Sequence, residues 1–219
     1  MTFSLLARDP RTGEIGGATA TGLPAVGGFV LHLRAGAGGI ATQGYSTNTL
    51  YGPRGLRLLE DGETAEAVCR LLTDNDPGRG ARQLIAIDEA GRTAGWTGQA
   101  NIDRKLHICA PDLAVAGNWI SSEATVFRMR EAYRAATARP MAERLIAALA
   151  AGEAAGSDSR GLQSAALAVV GRDRPPLELR ADLSDQPIAE LARLLEAVGS
   201  AEFKTFYERL PTLASPARG

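Results

Sequence analysis

Short apolar runs separated by turn residues fill the first fifth of the chain. Segments 3–8 and 14–21 are strand-like and flank the turn 9–13, in which a proline and a glycine supply the constrained and permissive backbone positions. A second pair, 29–34 and 40–43, flanks a glycine-rich bend. The pattern therefore predicts that the chain begins with two β-hairpins.

Helical spacing of apolar residues and further short apolar runs alternate through the rest of the chain. They predict, in order, helices over 52–60 and 64–73, strands over 83–88, 92–97 and 113–116, helices over 122–136 and 140–151, strands over 164–170 and 177–183, and a helix over 187–198. On two of these helices we expect the apolar face to be largely buried, namely Val126, Met129 and Tyr133 on one and Leu191, Leu194 and Leu195 on the other.

The order of the elements favours an α+β architecture over the regular alternation of a doubly wound fold. Most strand pairs have connections too short for a parallel crossover, so the sheets are expected to be mostly antiparallel. Two such sheets between helical layers fit this order. We expect one domain over residues 1–199, followed by a short helix and a loose tail over 200–219.

Composition narrows the classes of function. The net charge of -1 and the isoelectric point near 6.2 give no overall positive field for nucleic acid or an anionic membrane. No apolar run approaches the ~20 residues of a membrane-spanning helix. Cys69 and Cys109, the two cysteines, are expected to be core thiols, and no secretion signal precedes the first strand. The sequence predicts a cytoplasmic protein with neither a nucleic-acid nor a membrane partner.

Motifs for common cofactor chemistry are missing from the sequence. It contains no glycine-rich loop with a lysine, no H-E-x-x-H and no clustered Cys and His. His32 and His107, the two histidines, lie in no Ser-His-Asp or metal-ligand pattern. The glycines of 36–39 precede a strand, whereas a phosphate site needs a helix N-terminus. We therefore expect no metal and no cofactor.

Thr2 is the residue best placed to act as a nucleophile. Initiator methionine is normally removed when a small residue follows it, and removal would leave a primary amine beside the Thr2 hydroxyl. Because an α-amine has a pKa of roughly 7.7 to 8.0, it can accept the hydroxyl proton without a histidine. The strand that begins at Phe3 would hold this terminus at a sheet end. The alternative is that threonine is simply the residue after the start codon.

Three further residues near predicted strand ends are candidates for the site. Asn118 follows a glycine, where its amide could stabilise an oxyanion or could serve only as a turn residue. Arg160 and Gln163 precede a strand, where a guanidinium and an amide could hold a substrate carboxylate. An ordering contact between Arg160 and Asp158 is the competing interpretation.

A polar segment after the strand 40–43 supplies the remaining candidates. Gln43 closes that strand, and Asn48, Tyr51 and Arg54 follow it. These four side chains could line a substrate pocket beside the nucleophile. They could equally cap the helix that begins there.

Five segments, taken in order, resemble the bacterial family called domain of unknown function 1028. They are TFSLLARDP at 2–10, ATQ at 41–43, YGPRG at 51–55, GN at 117–118 and DSRGLQSAA at 158–166, and the resemblance spans about residues 2–198. It implies membership of the N-terminal-nucleophile hydrolases and a four-layer αββα sandwich. It also implies that Asn118, Arg160 and Gln163 share one pocket with Thr2.

The sequence departs from that pattern in two places. Residues 46–50 stand where a shorter asparagine-proline connection is expected, so the rim of the pocket differs. The lysine that proteasome-like relatives hold beside the nucleophile has no counterpart, because the two lysines, Lys105 and Lys204, lie in no matching motif.

The resemblance implies hydrolysis of an amide bond in a small or peptide-derived substrate. In this interpretation the Thr2 hydroxyl attacks the carbonyl, the amine of Thr2 moves the proton, Asn118 or nearby backbone N–H groups hold the oxyanion, and water releases the acyl intermediate. The alternative function is a non-catalytic binding or assembly module that retains the fold. The number of copies stays open, a homo-oligomer included.

Overall fold

The computed structural model describes residues 1–156 and 161–218. These residues form ten β-strands and six α-helices. The strands are β1 (Thr2–Arg8), β2 (Ile15–Thr21), β3 (Leu31–Arg34), β4 (Gly38–Gln43), β5 (Gln83–Asp88), β6 (Thr93–Thr97), β7 (Leu106–Ala110), β8 (Leu113–Asn118), β9 (Ser164–Gly171) and β10 (Arg174–Ala181). The helices are α1 (Tyr51–Glu60), α2 (Ala65–Asp74), α3 (Ala124–Ala135), α4 (Met141–Ala154), α5 (Pro187–Val198) and α6 (Ala201–Tyr207).

The strands form two antiparallel sheets. The first sheet has six strands in the order β10-β9-β2-β1-β8-β7, and the second has four in the order β3-β4-β5-β6. Every strand pair in both sheets is antiparallel. Strand β1 is central, so the start of the chain is held by hydrogen bonds on both sides, to β2 and to β8.

Successive side chains of β1 point to opposite faces of the first sheet, as the period of a strand requires. Phe3 belongs to an apolar cluster that includes Met129 of α3. Leu6 belongs to a different cluster, with Ile85 of the second sheet. Even-numbered positions of β1, among them Thr2, therefore face the second sheet.

Helices α1 and α2 pack on the other face of the second sheet. Ile40 of β4 belongs to an apolar cluster with Leu56 of α1 and Val68 of α2. Gly52 lets α1 approach closely, because a Cβ at this position would lie 2.2 Å from the ring of His32 on β3. The residues of this face are therefore separated from Thr2 by the thickness of the second sheet.

Most of the elements expected from the sequence are present. Val126, Met129, Tyr133 and Leu191 are buried, and Leu194 and Leu195 are partly buried against the same core. The sequence missed β7, a half-exposed strand at the edge of the sheet, where no clean alternation develops. The expectation that Cys109 lies in the core is wrong, because this residue of β7 is exposed.

The boundary at residue 199 stays a prediction. The final residues do contact the body of the protein, since the Ala214 amide donates to the Arg172 carbonyl oxygen at 2.8 Å and Thr212 is buried.

Candidate active site

Thr2 begins β1 between two polar residues of neighbouring strands. It pairs with Thr21 at the end of β2 and with Asn118 at the end of β8. The Thr21 hydroxyl donates to the Met1 carbonyl oxygen at 2.5 Å, and 3.0 Å separates the Thr2 and Thr21 hydroxyl oxygens. Because Thr21 has a single hydroxyl hydrogen, the Thr2 hydroxyl is the donor in the second contact. Thr21 thus contacts both the carbonyl oxygen of the peptide bond between Met1 and Thr2 and the hydroxyl group of Thr2.

Gln43 reaches this position from the second sheet. Its Nε2 donates to the Thr2 carbonyl oxygen at 3.2 Å and to Gln83 Oε1 at 2.6 Å. Its Oε1 accepts from the Ser4 hydroxyl at 2.5 Å. Gln43 is fully buried, so these contacts replace the hydrogen bonds that water would otherwise provide.

Gln83, at the start of β5, connects Gln43 with Asn118. Its Oε1 accepts from Gln43 Nε2 and, at 3.0 Å, from Asn118 Nδ2. Its Nε2 lies within hydrogen-bond distance of the carbonyl oxygens of Leu106, at 3.1 Å, and Gly117, at 3.0 Å. Carbonyl oxygens only accept, which fixes the orientation of the Gln83 amide and directs its oxygen towards the other two side chains.

The side-chain amides of Gln43 and Asn118 differ in how many of their N–H hydrogens have an acceptor. Both hydrogens of Gln43 Nε2 are used, one on Thr2 and one on Gln83. Asn118 Nδ2 uses one hydrogen on Gln83. Within the described part of the chain, the second hydrogen of Asn118 has no acceptor, which leaves it as the amide hydrogen that can meet a developing negative charge.

Neither nearby basic residue contacts the Thr2 hydroxyl. His107 Nδ1 lies 2.8 Å from the Thr97 hydroxyl, behind Gln83, and burial lowers the pKa of His107, so its ring is neutral at pH 7. Lys105 directly precedes β7, and its Nζ donates to the carbonyl oxygens of Gln99 and Asn101 at 2.5 Å each. Among residues 1–156 and 161–218, no lysine, arginine or histidine side chain hydrogen-bonds Thr2.

The structure does not bring Asn48, Tyr51 and Arg54 to Thr2. The chain turns at Gly44, which has φ of 131° and no room for a Cβ, and continues on the α1 face of the second sheet. Gln43 points to the opposite face. Successive residues at the end of a strand point to opposite faces of the sheet, so the chain can continue on the face away from Gln43. This explains why Asn48, Tyr51 and Arg54 are separated from Thr2.

On the α1 face these residues contribute to a separate cluster around Asp76. Asp76 Oδ2 accepts from Asn48 Nδ2 at 3.0 Å, from the Tyr51 hydroxyl at 2.7 Å and from Arg82 Nε at 3.1 Å. These hydrogen bonds outweigh the opposing effect of burial and hold the pKa of Asp76 below its usual range. Asn48, Asp76 and Arg54 line a cavity of about 430 Å³ between α1 and α2.

Of the two C-terminal candidates, Arg160 and Gln163, the structure describes Gln163. Gln163 lies beside the site through its backbone, because its amide donates to the Thr21 carbonyl oxygen at 2.9 Å, but the residue itself is exposed. Arg160 lies outside the described residues.

Sequence reasoning missed Thr21, Ser4 and Gln83. Each is buried and polar, and each lies on a strand whose buried positions are mostly apolar. A polar residue in an apolar strand was the available signal, since a buried polar group needs a partner.

The described residues contain neither a metal-binding cluster nor a membrane-spanning helix. No group of three or more His, Cys, Asp or Glu could hold a metal ion. No helix among these residues has the length and apolar character needed to cross a membrane.

Comparison with known proteins gives a family. A model described as "Family of unknown function (DUF1028)" matches residues 2–191. A crystal structure of a protein from Silicibacter pomeroyi that carries the same family model has 38% sequence identity and a TM-score of 0.93, covering 99% of this chain and 98% of that one. Anbu (ancestral beta-subunit) from Yersinia bercovieri has 12% identity over 96% of this chain and 99% of that one, with a TM-score of 0.40. No curated protein matches the chain.

Proposed function

Since the chain belongs to DUF1028, a family of unknown function, we propose from the geometry of the site that the protein is an N-terminal-nucleophile amidohydrolase with Thr2 as the nucleophile. One observation carries the proposal. The peptide bond between Met1 and Thr2 lies in a hydrogen-bond network that includes Thr21, Gln43, Gln83 and Asn118, which come from four different strands. Removal of Met1 would place an amine and a hydroxyl of one residue inside that network.

The proposed reaction uses the amine of Thr2 as the base. The Thr2 hydroxyl oxygen attacks the carbonyl carbon of the substrate, and the hydroxyl proton passes to the amine and then to the departing nitrogen as the amide C–N bond breaks. Water then hydrolyses the resulting ester of Thr2 and releases the acid. An amine with a pKa of roughly 7.7 to 8.0 is partly unprotonated near neutrality, which suits it to this role.

Two neighbouring side chains complete the proposed machinery. The second amide hydrogen of Asn118 stabilises the oxyanion, because it lies opposite Thr2 and has no acceptor among the described residues. Loss of Met1 also removes the carbonyl acceptor of Thr21, whose hydroxyl becomes available to carry a proton between the two groups of Thr2.

The proposal includes a four-layer αββα sandwich and membership of the N-terminal-nucleophile superfamily. Support comes from three apolar clusters. One joins the first sheet to α3, α4 and α5, one joins the two sheets, and one joins the second sheet to α1 and α2. The proposed substrate is an amide of a small or peptide-derived molecule.

The test is covalent labelling with a β-lactone, which needs no knowledge of the natural substrate. Thr2 attack opens the lactone, and intact mass then increases by the whole lactone. We predict that protein lacking Met1 is acylated on Thr2 and that Thr2→Ser reacts within about tenfold of the same rate, because it keeps the amine and hydroxyl. Thr2→Ala should give no ester while keeping the fold, since only a hydroxyl and a methyl group are removed.

A matched control isolates the amine. A variant with an uncleavable residue before Thr2 keeps the hydroxyl but converts the amine to an amide nitrogen, so acylation should fall by about 100-fold or more. Equal acylation of the extended variant, or an unchanged mass shift in Thr2→Ala, would eliminate the mechanism.

One observation favours a non-catalytic binding or assembly module instead. The Met1 side chain is buried in the same apolar cluster as Phe3, so retaining it contributes to packing. Intact mass of untagged protein expressed in its own host separates the two functions. Quantitative retention of Met1 supports the binding module, whereas its removal supports the hydrolase.

A further inference from the structure

Large apolar side chains are exposed at the edge of the molecule where Thr2 lies and where β2, β4 and β8 end. Of the nine that are exposed among the described residues, four lie at this edge: Leu23 with 55% of its surface exposed, Tyr45 with 69%, Trp119 with 45% and Leu183 with 76%. We call these four residues the apolar rim. A concentration of exposed apolar side chains at one place is typical of a binding surface.

Three rim residues follow the strands that supply the hydrogen-bond network. Leu23 comes two residues after Thr21, and Trp119 comes directly after Asn118. Tyr45 comes two residues after Gln43. Their positions on the chain therefore place the rim next to Thr2.

The loops that carry the rim are tied to the core by hydrogen bonds. The Leu23 carbonyl oxygen accepts from the buried Ser164 hydroxyl at 2.6 Å. The Tyr45 amide donates to Asn101 Oδ1 at 2.8 Å, and Asn101 is itself buried. Fixed loops of this kind present their side chains at a defined position, as a binding site requires.

The segment that carries Leu183 is connected to Thr21, the strand partner of Thr2, through two backbone hydrogen bonds. The Ser184 amide donates to the Gln163 carbonyl oxygen at 2.9 Å, and the Gln163 amide donates to the Thr21 carbonyl oxygen at 2.9 Å. On its other side, the Asp182 carbonyl oxygen accepts from the Ala25 amide at 2.8 Å. Leu183 therefore lies beside the loop that carries Leu23.

Trp119 adopts a strained backbone conformation. Its φ of 53° is in the left-handed region, which costs roughly 1 to 2 kcal/mol for a residue with a Cβ. Such strain persists where the surrounding structure enforces it and is concentrated at ligand sites. Here the strained backbone holds a large aromatic residue directly after Asn118, the last residue of β8.

We infer that the apolar rim is the substrate subsite and that the substrate carries an aliphatic or aromatic group beside the amide that is cleaved. This inference rests on the proposed function. The occupant is assigned to the substrate because the rim is continuous with the network around Thr2, and an apolar group placed there leaves water as the amide reaches the hydroxyl. A charged group in the same place would lose hydration and meet no opposite charge among the four rim side chains, which offer it only the Tyr45 hydroxyl and the Trp119 indole N–H.

Two β-lactones of equal length test the inference on the full chain lacking Met1. One carries a phenylalkyl substituent and the other ends in a carboxylate, and the rate of Thr2 acylation is followed by intact mass. We expect the phenylalkyl lactone to react roughly tenfold faster or more. The double variant Tyr45→Ser, Leu183→Ser should bring the ratio close to one by slowing the phenylalkyl lactone.

The control is Phe206→Ser, which removes an apolar side chain that is 57% exposed elsewhere on the surface. Its ratio should equal that of the unmodified sequence. A ratio near one in the unmodified sequence, or one that the double variant leaves unchanged, overturns the subsite while Thr2 acylation still supports the proposed function. Absence of acylation with both lactones defeats the proposed function and the subsite together. Sedimentation provides a further outcome. If the double variant dissociates a dimer and leaves the ratio of the two acylation rates unchanged, the rim is a contact between copies and the subsite is overturned.

Discussion

At the scale of single residues, the role of each amide side chain in the site depends on which of its two N–H hydrogens already has an acceptor. Gln83 orients Gln43 and Asn118 because its own NH2 group is fixed by backbone carbonyl oxygens. Among the described residues, both hydrogens of the Gln43 amide have acceptors, whereas one hydrogen of the Asn118 amide has none. The sequence predicted Gln43 and Asn118 as site residues, whereas the contact of Gln83 with Asn118 became visible only when the two sheets were packed together.

We predict that Gln83→Met slows Thr2 acylation by on the order of 10-fold to 100-fold, because Asn118 loses the acceptor that aligns it. Stability should also fall by about 1 to 3 kcal/mol, since buried donors and acceptors lose their partner. The matched control is Gln99→Met at an exposed glutamine, which should change neither quantity. Acylation rate by mass spectrometry and urea unfolding measure the two effects. An unchanged acylation rate in a destabilised Gln83→Met protein would make Gln83 purely structural.

At the scale of elements, Asp76 joins pieces that are distant along the sequence. It accepts hydrogen bonds from the segment before α1, from α1 itself and from Arg82 before β5. The sequence placed Asp76 in a loop after α2, and its three partners could not be inferred from a local pattern. Asn48 and Tyr51 were assigned to the nucleophile because they follow β4, whereas the turn at Gly44 takes them to the other face.

We predict that Asp76→Ala destabilises the protein by about 2 to 3 kcal/mol, because the buried Tyr51 and the partly buried Asn48 and Arg82 are left without a charged acceptor. The control is Asp74→Ala, whose carboxylate is 62% exposed and pairs with Arg79 at 3.3 Å. Its effect should stay within about 0.5 kcal/mol, as for other exposed ion pairs. Urea unfolding curves with equal slopes would measure both values. Equal losses for the two variants would show that Asp76 does not hold these elements together.

At the scale of the whole molecule, both histidines are partly buried where the charged form is disfavoured. Burial lowers the pKa of His32 and of His107 below the ordinary value of 6.5. Below pH 6.5 the unfolded chain binds protons that the folded protein does not, so stability falls as pH decreases. The loss begins near pH 6.5 and continues down to the lowered pKa values of the folded protein.

We predict a decline in stability from pH 7 to pH 5, with a slope of at most about 1.4 kcal/mol per pH unit for each histidine. The double variant His32→Gln, His107→Asn should flatten this decline, because the new amides can occupy the hydrogen-bond positions at Phe29 and Thr97 without titrating. Denaturant midpoints across this pH range provide the measurement. A decline that persists in the double variant would assign it to other groups.

The sequence by itself determined the order of most elements, the antiparallel pairing and the place of Thr2 at the start of a strand. These follow from local rules, since apolar periodicity and turn residues act over a few positions. The tertiary structure decided which polar residues meet. Gln43, Gln83 and Asn118 come from three strands, and they meet because two sheets pack face to face with these side chains turned inwards. Asn48 and Arg54 lie on the other side because one turn changes the face on which the chain continues, a choice made by packing between distant segments.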